Sequence, residues 1–148
     1  VAVKQLNVTG LVAAVFSPFN ANFSLNLSVV PEQAAFLQAT GVEYAYVAGT
    51  TGESVSLSQT EREKLLEAWI AAAPTYHLKV IVHVGANCLE EARQLVDHAV
   101  SLNSPYLVGF AAMPPSFFKP ATIEALAVTM RDIANRAPNL PFYYYHIP

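Results

Sequence analysis

Tyr44-Ala45-Tyr46-Val47-Ala48-Gly49-Thr50-Thr51-Gly52-Glu53-Ser54 runs from a short apolar and aromatic stretch straight into a loop rich in glycine and hydroxyl groups. Four residues on, Ser58-Gln59-Thr60-Glu61 forms a capping box, followed by Leu65, Leu66, Trp69, Ile70 and Ala73 at three-and-four spacing. A serine that accepts from the third amide of a helix, with a glutamate there reaching back, marks a helix start, and apolar residues at that period mark one buried face. The segment reads as strand, loop and helix, with Pro74 as the expected stop.

The same unit recurs on both sides. Short β-branched or aromatic runs predict strands at residues 11–16, 44–48, 80–84, 106–111 and 142–145. Ser28 is a candidate N-cap for a helix to about Ala39, with Pro31 in its first turn and Gly41 just past its end. Asn87, with Glu90 three residues later, predicts a third helix whose face is Ala92, Leu95, Val96, Ala99 and Val100. A fourth is expected from about Thr122 to Ala137, presenting Ile123, Leu126, Ala127, Met130, Ile133 and Ala134 and ending before Pro138.

Strict alternation of strand and helix argues for an α/β fold, with parallel strands joined by right-handed crossovers. The strands start at 11, 44, 80, 106 and 142, so successive starts lie 33, 36, 26 and 36 residues apart. Eight units of that size need roughly 260 residues, the length of a (β/α)8 TIM barrel. The 148 residues would supply its first five strands and four helices, as a single unit with no linker or second domain. A five-stranded doubly wound sheet has nearly this length too. Against it, the glycine-patterned loop follows the second strand rather than the first, and no helix follows the fifth. The sequence opens on Val1 without a methionine and stops on Ile147-Pro148, so a fragment of a longer protein is expected.

Composition excludes several functions. The chain is 53% hydrophobic and 13% charged, yet its longest nearly apolar run, residues 106–118, is broken by Pro114 and Pro115 and is too short to span a bilayer. No membrane association is expected. A net charge of −3 with scattered lysines and arginines gives no basic stripe for nucleic acid. Cys88 alone builds neither a disulfide framework nor a cysteine zinc site, and it agrees with a reducing, cytoplasmic setting. The sequons at Asn7, Asn22 and Asn26 then read as chance matches, since the N-terminus has no signal-peptide character.

Two features could carry chemistry. In the loop after strand two, Gly49 and Gly52 can take positive φ and let amides converge on a small anion, with the hydroxyls of Thr50 and Thr51 beside them. A tight turn would use the same glycines. In strand five, Tyr143 and Tyr145 face one way and Tyr144 the other. Tyr145, nearest the carboxyl end, could shuttle a proton, or could simply pack. His83, inside an apolar strand, reads as a hydrogen-bonded core or site-wall residue rather than a metal ligand. Cys88 and Trp69 read as structural.

Together, Gly49-Thr50-Thr51-Gly52-Glu53 after strand two and Tyr145-His146-Ile147-Pro148 after strand five resemble the paired signatures of the dihydrodipicolinate synthase and N-acetylneuraminate lyase family. The resemblance runs from Gly10-Leu11-Val12-Ala13-Ala14 to the last proline. It implies a class I aldolase barrel that forms a Schiff base with pyruvate, uses no metal or redox cofactor, and assembles as a cytosolic homotetramer. Thr50 and Thr51 then correspond to the residues that hold the carboxylate of pyruvate or of the sugar acid, and Tyr145 to the proton-relaying tyrosine. Val82-His83-Val84-Gly85 and the run from Leu140 to Pro148 resemble the animal-type lyase branch, which implies cleavage of N-acetylneuraminate, a sialic acid, to N-acetylmannosamine and pyruvate.

The family's imine-forming lysine belongs to strand six, which these residues do not reach. Lys4 precedes strand one, Lys64 lies in helix two, and Lys79 opens strand three at the wrong end. Lys119, at the right end, would be a solvated and poor nucleophile. The loop after strand four, Met113-Pro114-Pro115-Ser116-Phe117-Phe118-Lys119-Pro120, lacks the tyrosine that synthases extend to a neighbouring subunit, which suits a lyase. Alternatives remain: another pyruvate-dependent aldolase or synthase of the family, or a non-catalytic half-barrel that binds a carboxylate or a partner chain.

Overall fold

The computed structural model describes residues 8–147. Lys4, the sequon at Asn7 and Pro148 lie outside them. Five strands alternate with four helices: β1 Val12–Ala14, α1 Val30–Ala39, β2 Tyr44–Val47, α2 Gln59–Tyr76, β3 Lys79–His83, α3 Leu89–Ser101, β4 Leu107–Ala112, α4 Ile123–Asn135 and β5 Phe142–Tyr144. The sheet is parallel throughout, and its spatial order is its chain order, β1-β2-β3-β4-β5.

That order decides between the two α/β architectures. A doubly wound sheet reverses its strand order at a switch point and carries helices on both faces. Here the order never reverses, and all four helices share one face. Ala45, Val47, Val80, Val82 and Phe110 point to that face and join Leu37, Leu65, Trp69, Val96 and Ile133 of the helices in one large core. Alternate strand residues point the other way, where Tyr44, Ile81 and Ala111 meet Tyr46, Val108 and Tyr143 in a smaller second cluster. This is the arrangement of a barrel wall, with helices outside and side-chain layers inside.

Several element boundaries differ from the sequence reading. Helix α2 runs through Pro74 to Tyr76 and ends where His77 turns left-handed, its amide donating to the Ala73 carbonyl. So near a helix end, proline forfeits one hydrogen bond while its fixed φ remains helical. Ser28 sits in a 3₁₀ turn before α1, whose N-cap is Val29. Asn87 does not cap α3. Cys88 occupies that position, and the Asn87 carboxamide oxygen accepts instead from the amides of Ser116 and Phe117 and from the Ser116 hydroxyl, tying down the loop after β4. Helix α4 begins where expected, with Thr122 as its N-cap, but ends at Asn135, and Ile123 and Ala127 are exposed, as is Val100 on α3. Among the described residues, no helix is long and apolar enough to cross a membrane.

Candidate active site

The loop that follows β2 is held under backbone strain. Ala48, Glu53 and Ser54 have φ of 58°, 69° and 34°, a region that side chains other than glycine enter at a cost of about 1–3 kcal/mol each. The sequence placed positive φ on Gly49 and Gly52, but neither adopts it. These glycines serve close approach instead. A Cβ on Gly49 would meet the Tyr46 ring at 2.4 Å, and one on Gly52 would meet the Val15 carbonyl at 3.0 Å. The buried Ser17 hydroxyl donates to the Gly52 carbonyl at 2.6 Å, fastening the loop to the chain beyond β1.

Between the strained residues, Thr50–Gly52 make one 3₁₀ turn. The opening amides of a helical turn have no partner within it, which leaves those of Thr50 and Thr51 available to a ligand. Both threonines border a cavity of about 380 Å³ inside the sheet's concave face, together with Tyr46, Ile81, Tyr143 and Tyr145. The structure thus brings Thr50, Thr51 and Tyr145 to one cavity. Tyr145 stands one residue past the end of β5, but its amide still donates to the Ala112 carbonyl at 3.0 Å, so the ladder fixes where its ring begins. The ring packs on Tyr46 with centroids 5.8 Å apart and is half exposed.

Tyr46, which reads in the sequence as a strand aromatic, also borders this cavity. Its Oη is buried with no hydrogen-bond partner among the described residues. Burial, and then the neighbouring Tyr145, push its ionisation well above the usual phenol range, so it faces the cavity as a neutral hydroxyl. The signal in the sequence was a phenol placed two residues before the apolar run ends at the glycine loop.

Behind the loop lies a buried polar group that the sequence reading only half anticipated. His83, at the end of β3, is buried and hydrogen-bonded, as expected of a core or site-wall residue, and burial followed by the nearby Arg62 guanidinium lowers its pKa to about 3. Arg62 is 2% exposed and donates from Nη2 to the His83 carbonyl at 2.8 Å. Its Nη1 lies 3.6 Å from Glu91. Ser54 places its hydroxyl 3.2 Å from His83 Nδ1. Periodicity could have found Arg62, because it falls three and four residues before Leu65 and Leu66, in phase with the buried stripe.

The described lysines stay away from the threonine–tyrosine cavity. Lys79, first in β3, pairs with Glu43 at 3.1 Å. Lys64 is exposed on α2, and Lys119 borders a separate depression with Pro120, Thr122 and Ile147. Cys88 is exposed and Trp69 fully buried.

Comparison with known proteins gives this arrangement a lineage. Residues 7–148 match the Dihydrodipicolinate synthetase family. N-acetylneuraminate lyase B of Xenopus laevis is 43% identical over 140 residues, which cover 94% of this chain and 52% of that protein. The Homo sapiens N-acetylneuraminate lyase is 39% identical over 148 residues, 99% of this chain and 45% of its own length. The chain spans about half the length of the curated relatives it matches. Among solved structures, the Proteus mirabilis N-acetylneuraminate lyase superposes with a TM-score of 0.87 at 38% identity, covering 94% of this chain and 46% of that one. A dihydrodipicolinate synthase gives 0.81 at 31% identity, covering 91% and 44%. The parallel sheet and its one-sided helices are therefore part of a TIM barrel, and the chain belongs to the dihydrodipicolinate synthetase family.

Proposed function

We propose that the protein carrying this chain is an N-acetylneuraminate lyase that cleaves the sugar acid to N-acetylmannosamine and pyruvate through a Schiff base. In this reading the chain is the N-terminal part of one barrel domain, and the imine-forming lysine comes from a strand beyond β5. The observation that carries the proposal is that Thr50 and Thr51, almost a hundred residues from Tyr145 in sequence, border the same cavity as its phenol. Similarity to lyases of several vertebrates and bacteria supports the choice of reaction within the family.

The chemistry asks for three things. An amine condenses with the 2-keto group of the substrate, releasing water and leaving an iminium. That iminium accepts the electrons of the C3–C4 bond as it breaks, while the C4 hydroxyl gives up its proton and becomes the aldehyde. The resulting enamine is protonated at C3, and hydrolysis frees pyruvate. Thr50 and Thr51 would hold the carboxylate next to the imine, and Tyr145 would carry protons on and off the reacting oxygens. The neutral hydroxyl of Tyr46 stands beside it to accept or donate one hydrogen bond. A cytoplasmic homotetramer is the expected setting, and light scattering tests the assembly.

Borohydride reduction in the presence of pyruvate, with a mass measurement, tests the imine. Release of N-acetylmannosamine from N-acetylneuraminate tests the reaction. A pyruvyl adduct without lyase turnover would favour a family synthase or aldolase with another aldehyde partner. No adduct on the full-length protein would favour the non-catalytic reading.

A further inference from the structure

His83 is 1% exposed and links the ends of two other strands. The Met113 amide lies 3.2 Å from its Nε2, and an amide can only donate. Nε2 is therefore the acceptor and Nδ1 carries the proton. That places a donor 3.1 Å from the Ala48 carbonyl. Arg62 Nη2 also approaches Nδ1, at 3.4 Å, but two donors cannot bond each other, so its hydrogen bond goes to the His83 carbonyl. Its charge instead opposes a second proton on the ring.

The two ends that His83 joins are functionally placed. Ala48 ends the run from β2 in a left-handed conformation, immediately before Gly49 and the turn that holds Thr50 and Thr51. Met113 follows β4, and its sulfur lies 3.6 Å from the Thr50 hydroxyl. Gly85 keeps the bridge open, since a Cβ there would fall 2.8 Å from His83 Nε2 and 3.0 Å from the Met113 nitrogen. A histidine that only filled space would not need both nitrogens matched to backbone groups of opposite polarity on either side of a strained loop.

We propose that His83 is a positioning residue: its imidazole ties the Ala48 carbonyl to the Met113 amide and thereby fixes the turn that presents Thr50 and Thr51. This rests on the reading that the turn holds a substrate carboxylate. The Ala48 bond then sets the register of the threonine cradle, and losing it raises KM for the sugar acid while kcat changes much less.

Two variants of the full-length enzyme separate the links. His83→Asn keeps a donor where Nδ1 stands but ends short of Met113, whereas His83→Gln reaches Met113 with its carbonyl and leaves Ala48 without a donor. The expected result is a KM within about threefold of wild type for His83→Asn and about tenfold higher for His83→Gln, the scale of one lost hydrogen bond, at similar kcat. Equal KM for the two variants, or KM values that merely follow their urea midpoints, would overturn the proposal. If the wild-type protein traps no pyruvate, the functional reading fails, and hydrogen exchange at the amides of Gly52 and Glu53, which bond Gly49 and Thr50 across the turn, decides in its place. Faster exchange in His83→Gln but not in His83→Asn supports the tie, and equal exchange overturns it. Nitrogen-15 shifts of the wild-type ring need no variant: a protonated Nδ1 with an unprotonated Nε2 is expected, and the reverse tautomer sinks the proposal.

Discussion

Acid should unfold this protein through His83, and the size of the effect follows from its burial. The folded imidazole has its pKa lowered from 6.5 to about 3, chiefly because burial disfavours the charged ring and next because Arg62 stands beside it. Unfolding restores the ordinary value. Between these two pH values the unfolded chain binds one more proton than the native protein, so stability is full above about pH 6.5 and declines as pH falls toward 3. The slope is about 1.4 kcal/mol per pH unit, which gives roughly 3 kcal/mol two units below the unfolded pKa, near pH 4.5. That is a large part of the roughly 5–15 kcal/mol that holds a typical domain together. Urea unfolding of wild type and His83→Asn at about pH 7 and about pH 4.5 isolates it, because the other titrating groups cancel between the two proteins. Wild type should lose roughly 3 kcal/mol more than the variant on acidification. Equal losses would mean that the ring protonates inside the fold and that its burial does not hold it neutral.

Further outcomes follow from the same geometry. In the full-length enzyme, Tyr145→Phe keeps the contact with Tyr46 but removes the proton carrier, so kcat should fall by about 10²–10⁴ with little change in pyruvate binding; near-wild-type kcat would reduce Tyr145 to packing. Thr51→Val keeps the shape and amide of the turn and removes one hydroxyl, so steady-state kinetics should show mainly a rise in KM worth about 1.5–3 kcal/mol. Gly85→Ala forces a Cβ against His83 Nε2 and the Met113 amide, and should cost about 1–3 kcal/mol in thermal or urea unfolding. Residues 1–148 produced alone should self-associate, because β1 and β5 are open sheet edges and Leu11, Phe16, Phe36, Ile123 and Ile147 are exposed beside them. A compact monomer in light scattering would contradict that.

The period of the apolar residues determined most of the architecture by itself. A two-residue alternation in the strands and a three-and-four spacing in the helices are local steric facts, which is why the capping box at Ser58 and the αL position at Gly41 stand where the sequence put them. The paired motifs around Thr50, Thr51 and Tyr145 were legible for a related reason: each is contiguous, so its residue order is its signature. Strand order was not legible, because parallel neighbours are chosen by how helices cover the sheet, and the unreversed order turned the barrel favoured by the loop position and the paired motifs into an observed barrel wall. Nor could the sequence say where strain would fall. Gly49 and Gly52 looked like positive-φ residues, yet the crowding of the Tyr46 ring and the Val15 carbonyl claimed them, and the left-handed turns passed to Ala48, Glu53 and Ser54. Asn87 looked like a helix cap until Ser116 and Phe117 came within reach of its oxygen. The environment of His83 depends on Ala48, Arg62 and Met113, up to 35 residues away in sequence, and a hydrogen bond between such groups exists only once the strands that carry them lie side by side.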